Sequence, residues 1–161
     1  MLPKKIVVGT DGSETASEAV RQAIELAGSV GADLHVVSAY RAVATAAAMA
    51  MAAEPMSMIS ATSAADWQET SRNATEEVLS RASQWASGHG IKIETHSCAG
   101  QPAEVILSVA EGVGADLIVL GDKGMAGIRR FLTGSVPSAV AHHAPCSVWI
   151  VNTTDRVKSV Q

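Results

Sequence analysis

Leu117-Ile118-Val119-Leu120-Gly121-Asp122-Lys123-Gly124-Met125-Ala126-Gly127-Ile128-Arg129-Arg130-Phe131-Leu132-Thr133-Gly134-Ser135-Val136 runs from an unbroken aliphatic stretch, through a glycine-bearing loop, into a short helical pattern that ends at His143. A short apolar run without alternation predicts a strand covered on both faces, as in a parallel sheet. The glycines allow backbone conformations and close approaches that a side chain would block. Gly134-Ser135 stands where the last helix begins, and a helix start offers free N–H groups and the positive end of its dipole. Strand, glycine loop and helix start together have the physical parts of a phosphate cradle. The same glycines also suit a plain strand-to-helix turn, and this stretch alone does not separate the two readings.

Outward from the loop, the same alternation repeats. Downstream, Ala144-Pro145 stops the helix, and Cys146 to Val151 predicts a last strand, with Asn152 to Gln161 a polar, fraying tail. Upstream, Gly100-Gln101-Pro102 opens a helix with proline at its favoured first position. Its inner stripe is Ile106, Leu107, Val109, Ala110 and Val113. Ile91 to Cys98 alternates apolar and polar residues, which predicts a half-exposed edge strand. Ala64 to Ser87 predicts a long amphipathic helix with Trp67, Ala74, Val78, Leu79, Ala82 and Trp85 on one face, and the tryptophans as packing residues.

At the other end, Ile6-Val7-Val8 in Lys5 to Thr10 predicts a buried strand, and Asp11-Gly12-Ser13-Glu14 a turn into a helix capped by Asp11 or Ser13. That helix runs to Gly31, and Asp33 to Tyr40 forms the next strand. Val30-Gly31-Ala32-Asp33-Leu34 recurs as Val113-Gly114-Ala115-Asp116-Leu117, so one helix-to-strand junction is built twice. Five strands alternating with four helices predict one open, mostly parallel α/β sheet.

Composition narrows the function classes. The chain has 161 residues, 47% of them hydrophobic and 17% charged, which suits one domain with a substantial core. A net charge of −4 argues against a general nucleic-acid binder. The uncharged, Ala- and Met-rich stretch Ala42 to Ala53 is too short and too weakly apolar to cross a membrane. Met1-Leu2-Pro3-Lys4-Lys5 leads straight into a strand, with no apolar segment of a signal peptide. Cys98 and Cys146 have no ligand or disulfide spacing, which favours a reduced, cytoplasmic setting. The Ala- and Met-rich Arg41 to Ser63 reads as a mobile insertion. His142 and His143 are adjacent and diverge on a helix, so they suit a helix end better than a metal pair. Cys146 reads as an inert thiol. Neither a Gly-x4-Gly-Lys-Ser/Thr loop nor a Gly-x-Gly-x-x-Gly after the first strand is present.

The Gly-x2-Gly-x9-Gly-Ser spacing of Gly121, Gly124, Gly134 and Ser135 resembles the signature of the ATP-binding subgroup of the universal stress protein family. The likeness extends to Ile6 through Ser13, Gly100-Gln101-Pro102-Ala103 and His142-His143-Ala144-Pro145-Cys146-Ser147-Val148. It implies a Rossmann-like, adenine nucleotide alpha hydrolase-like sheet of order 3-2-1-4-5, helices on both faces, and one domain over 1–152 followed by the tail 153–161. In that order the first and fourth strands form a switch point, where such sheets bind ligands.

The resemblance further implies an adenine nucleotide there: ATP, or AMP or cyclic AMP, with Mg2+ held through the phosphates. Asp11 would contact the nucleoside, Thr10 and Gly12 would line the same turn, and Ala39 would abut adenine. Gly121, Gly124, Gly134, Ser135 and the Val136 amide would hold phosphates. Lys123, Met125, Gly127 and Arg129 are further loop residues of the site. Asp122 would sit awkwardly beside a triphosphate unless turned towards water or Mg2+. The family commonly forms homodimers, here through the Cys146–Val151 strand. A stress-response regulator is the implied role. The alternatives are a slow ATPase or autophosphorylating protein, or a dimeric interaction module with no nucleotide. No general base is evident beside Ser135.

Overall fold

The computed structural model describes residues 1–41, 61–122 and 135–153. Its elements are β1 (Lys5–Gly9), α1 (Glu14–Val30), β2 (Asp33–Tyr40), α2 (Ala61–Gly88), β3 (Ile93–Ala99), α3 (Pro102–Val113), β4 (Leu117–Gly121), α4 (Val136–His143) and β5 (Ser147–Val151). All strand pairs are parallel, in the order β3-β2-β1-β4-β5. This is the α/β sheet and strand order expected above.

The period-2 geometry of the strands sorts the core into two layers. Ile6, Val8, Leu34, Val36 and Val119 face α1 and α2, where Ala19, Ala23, Ile24, Leu79, Ala82 and Ala86 meet them. Val7, Val37, Ile118 and Leu120 face Val105, Ile106 and Ala110 of α3 and Val140 of α4. Right-handed crossovers explain the division: the chain steps outward from β1 to β3, then returns past β1 to β4, so the later helices lie on the opposite face. In β1, Ile6, Val7 and Val8 are fully buried.

Both copies of the sequence echo make the same junction. Gly31 and Gly114 adopt left-handed φ values of 69° and 65° and end α1 and α3. The Ala32 and Ala115 N–H groups then donate to Ala27 and Ala110 carbonyls, and the Asp33 and Asp116 N–H groups donate to Lys4 and Lys5 carbonyls. The two junctions therefore flank the start of β1.

Asp116 goes further: its Oδ2 accepts from the Lys4 and Lys5 N–H groups at 2.8 and 3.0 Å. Those two backbone donors hold its carboxyl below the ordinary carboxylate range. As pH falls, the unfolded chain therefore takes up this proton first. The stabilisation is complete above the ordinary carboxylate value and disappears as pH falls through the lowered one. Urea denaturation from neutral to acidic pH should show a shallower loss of stability in Asp116→Asn than in the parent chain. Parallel curves would show that this carboxylate does not contribute to acid sensitivity.

Some local expectations shift. Helix α2 begins at Ala61 rather than Ala64, β3 starts at Ile93 rather than Ile91, and β5 starts at Ser147 rather than Cys146. The buried stripe of α2 is Thr75, Leu79, Ala82 and Ala86. Ala74 is exposed, one residue out of phase and so turned about 100° from Thr75. Trp67 is 61% exposed, because burial along α2 begins only near Thr75. Trp85 does pack against the core, with the Arg21 guanidinium 4.8 Å from its ring centre. The polar end does not fray from Asn152, since Thr153 is fully buried. The insertion segment 42–60 and tail residues 154–161 lie outside the described residues. Among the described residues, no helix is long and apolar enough to cross a membrane.

Candidate functional site

Strands β1 and β4 are neighbours, and the connections from their carboxyl ends lead to helices on opposite faces. That is the geometry of a switch point. On the β1 side the turn is tied internally. The Thr10 N–H donates to the Val37 carbonyl at 2.9 Å, extending the β1–β2 ladder by one residue. The Gly12 N–H donates to Thr10 Oγ1, and the Ser13 N–H donates to Asp11 Oδ1 at 3.0 Å. Ser13, rather than Asp11, caps α1: its Oγ accepts from the Ala16 N–H at 3.2 Å. Gly12 has φ +79°, and a Cβ there would lie 2.5 Å from Cγ2 of Val78 in α2. The turn thus needs glycine both for its backbone conformation and for the approach of α2.

On the β4 side, Gly121 ends the strand and the Asp122 N–H donates to the Val151 carbonyl. The Asp122 carboxylate accepts from both the N–H and the hydroxyl of Thr153. Its Oδ1 is therefore engaged by the end of the chain. Helix α4 starts with Ser135 as its cap, and Ser135 Oγ accepts a long bond of 3.4 Å from the Ser138 N–H. Pro137 has no N–H, and the Ala139 N–H goes to the Ser135 carbonyl. The Val136 N–H is then the first-turn donor not taken up within the helix.

Of the residues singled out in the sequence, Thr10, Asp11, Gly12, Ala39 and Gly121 lie at the carboxyl ends of the adjacent strands β1, β2 and β4. From β2 to β4 is two strand spacings, about 10 Å. Ser135 and Val136 begin the helix that follows β4. Lys123, Gly124, Met125, Gly127, Arg129 and Gly134 lie outside the described residues. Two neighbours of the site were not anticipated, Val78 against Gly12 and Thr153 on Asp122. The Asp-Gly-Ser stretch signalled a turn into a helix but not the side chain packed on it, and nothing in a polar tail signalled a buried threonine. The discarded candidates have structural places. His142 Nδ1 lies 2.9 Å from the Ser138 carbonyl at the end of α4, and burial pushes the Cys146 thiol up, away from the reactive thiolate.

A family model, described as the universal stress protein family, matches residues 3–152. The chain belongs to that family. It is 36% identical over 153 residues to a universal stress protein of Methanocaldococcus jannaschii, covering 93% of this chain and 82% of the relative. A universal stress protein crystallised in complex with cAMP superposes with a TM-score of 0.67 at 28% identity, covering 96% of this chain and all (100%) of that one. A universal stress protein from Lactobacillus plantarum shares the fold at a TM-score of 0.75 and 22% identity, covering 92% and 97% of the two chains. This universal stress protein therefore shares its overall fold with those solved structures.

Proposed function

We propose that this universal stress protein binds an adenine nucleotide across the carboxyl ends of β1, β2 and β4, with ATP as the ligand and Mg2+ carried on its phosphates. The observation that carries the reading is the adjacency of β1 and β4, which puts Thr10, Asp11 and Gly12 beside Gly121 at a switch point. The cAMP complex of the similar structure supports an adenine ligand. Asp11 would accept from the sugar hydroxyls and Ala39 would pack against the base. Ser135 Oγ accepts from Ser138 and still has its own proton to donate to a phosphate oxygen. The Val136 N–H would donate beside it at the positive end of α4. Gly121, Gly124, Gly127 and Gly134 would let the loop backbone approach the phosphates, with Lys123, Met125 and Arg129 completing it.

The chain would act as a cytoplasmic stress-response regulator whose state follows nucleotide occupancy, to the extent that the ligand binds one state more tightly than another. Homodimer formation through β5 fits its position at the sheet edge, where Trp149 and Ile150 are 37% and 43% exposed.

Mass spectrometry of small molecules released by denaturing the purified protein, followed by calorimetric titration with Mg2+·ATP, AMP and cyclic AMP, tests the reading. An adenine nucleotide should be released or bound, and Gly134→Val should weaken its binding by roughly tenfold or more, a loss of about 1.4 kcal/mol. No release and no heat with any of the three would overturn it.

A further inference from the structure

We infer that His35, Glu94 and His96 form a divalent-metal site, suited to Zn2+, on the outer edge of the sheet. Parallel pairing places His35 of β2 directly opposite Glu94 of β3, and Val37 opposite His96. Alternation then puts all three side chains on the face covered by α3, since Val37, two residues after His35, belongs to that layer. His35 Nδ1 and His96 Nε2 are 3.1 Å apart, and the Glu94 carboxylate oxygens lie 3.7 Å from His35 Nδ1 and 3.6 Å from His96 Nε2.

These separations suit an ion seated among the donors. Bonds of about 2.0–2.2 Å to a tetrahedral Zn2+ separate the ligand atoms by about 3.4 Å. The nitrogen–nitrogen separation of 3.1 Å and the distance from each ring nitrogen to its nearer carboxylate oxygen, Oε2 at 3.7 Å from His35 and Oε1 at 3.6 Å from His96, lie around that value, and the three residues offer one ligand atom each within 4.8 Å of one another. Without an ion, the short nitrogen–nitrogen contact is a hydrogen bond between the two imidazoles, but the carboxylate then stands beyond hydrogen-bond range of both rings. Two imidazoles and one carboxylate also form a borderline donor set that suits zinc and leaves a fourth position for water. Exposure agrees with that arrangement: the side chains of His35 and His96 are 10% and 19% exposed, while Glu94 is 67% exposed and opens the site to solvent.

The site is separate from the proposed nucleotide site. His35 precedes Ala39 by four residues, about 13 Å along the strand. An ion held there would fasten the edge strand β3 to β2.

The test uses the full chain, freed of metal with a chelator and titrated with ZnCl2 and, separately, with CoCl2 as a spectroscopic probe. One Zn2+ per chain should bind, Co2+ should give the visible absorption of a four-coordinate site, and the unfolding temperature should rise with Zn2+. Loss of an outer partner alone weakens metal binding by roughly 10- to 100-fold, so loss of a ligand in His96→Gln should cost about 100-fold or more. Glu94→Gln should weaken binding less. His35→Asn alters a buried position, so the two β3 variants, with unchanged far-UV circular dichroism, decide the matter if it fails to fold. Absence of stoichiometric uptake would overturn the site. So would uptake equal to the parent in His96→Gln, since the ion would then be held elsewhere, at His89, His142, His143 or a cysteine.

Discussion

Gly12→Ala should destabilise the protein by about 2–4 kcal/mol, with two separable causes. A residue other than glycine at φ +79° costs about 1–2 kcal/mol. The new methyl would also meet Val78 Cγ2 at 2.5 Å, and Val78 is a stiff β-branched residue that cannot swing its methyl clear without leaving its rotamer. Overpacking of this kind costs about 1–3 kcal/mol. The double variant Gly12→Ala, Val78→Ala removes the collision and keeps the backbone cost. Urea denaturation of the parent, both single variants and the double variant should give a coupling of about 1 kcal/mol or more, with the double variant less destabilised than the sum of the singles. Additive losses would mean that the turn and α2 do not press on one another. Because Thr10 and Asp11 share this turn, Gly12→Ala should also weaken nucleotide binding, whereas Val78→Ala should not.

The second large effect is expected at Asp122. Its carboxylate receives both hydrogen bonds from a threonine with no exposed surface. Asp122→Ala strands a buried N–H and a buried hydroxyl, at about 1–3 kcal/mol for each group left without an acceptor. A loss of about 2–4 kcal/mol follows. Asp122→Asn keeps an oxygen acceptor and should lose only about 1 kcal/mol, the charge-assisted part of the bond. If denaturation midpoints of Asp122→Ala and the parent agree, the contact to Thr153 does not stabilise the fold. The same contact gives the Asp122 carboxylate a structural role through its Oδ1. Nucleotide affinity should therefore fall much less than stability does.

The sequence made the framework legible where physical chemistry is local. Ile6-Val7-Val8 and Ile118-Val119-Leu120 are covered on both faces, so composition alone marked them as central strands. Gly31 and Gly114 stop helices by a conformation that glycine adopts without strain. The strand order came through resemblance, because periodicity carries no information about which strands become neighbours. On α2, the expected Leu79, Ala82 and Trp85 do face the core, while Trp67 and Ala74 do not: Ala74 stands one residue out of phase with the buried Thr75, and Trp67 precedes the part of the helix where burial begins.

At the candidate site, the Asp-Gly turn and the strand ends could be read from the chain. Val78 and Thr153 could not, since each owes its role to a partner distant in sequence. His35 was hidden differently: in a strand that is buried on both faces, a polar residue gives no alternation to betray the face it occupies.

The central place of β1 has a consequence for how the molecule comes into being. β1 is made first, yet one of its two neighbours, β4, is made more than a hundred residues later, as the separation of 112 between Lys4 and Asp116 records. During synthesis, β1, β2 and β3 can pair in order, but one side of β1 must wait. The edge of β1 that carries Ile6, Val7 and Val8 stays open on the ribosome until Leu117 to Gly121 emerges, which exposes it to other nascent chains. Closing the sheet then requires a long-range contact across most of the chain, so folding should be slow for a domain of this size. Chaperone dependence should be greatest for chains stalled before β4, and should drop once β4 is free to dock.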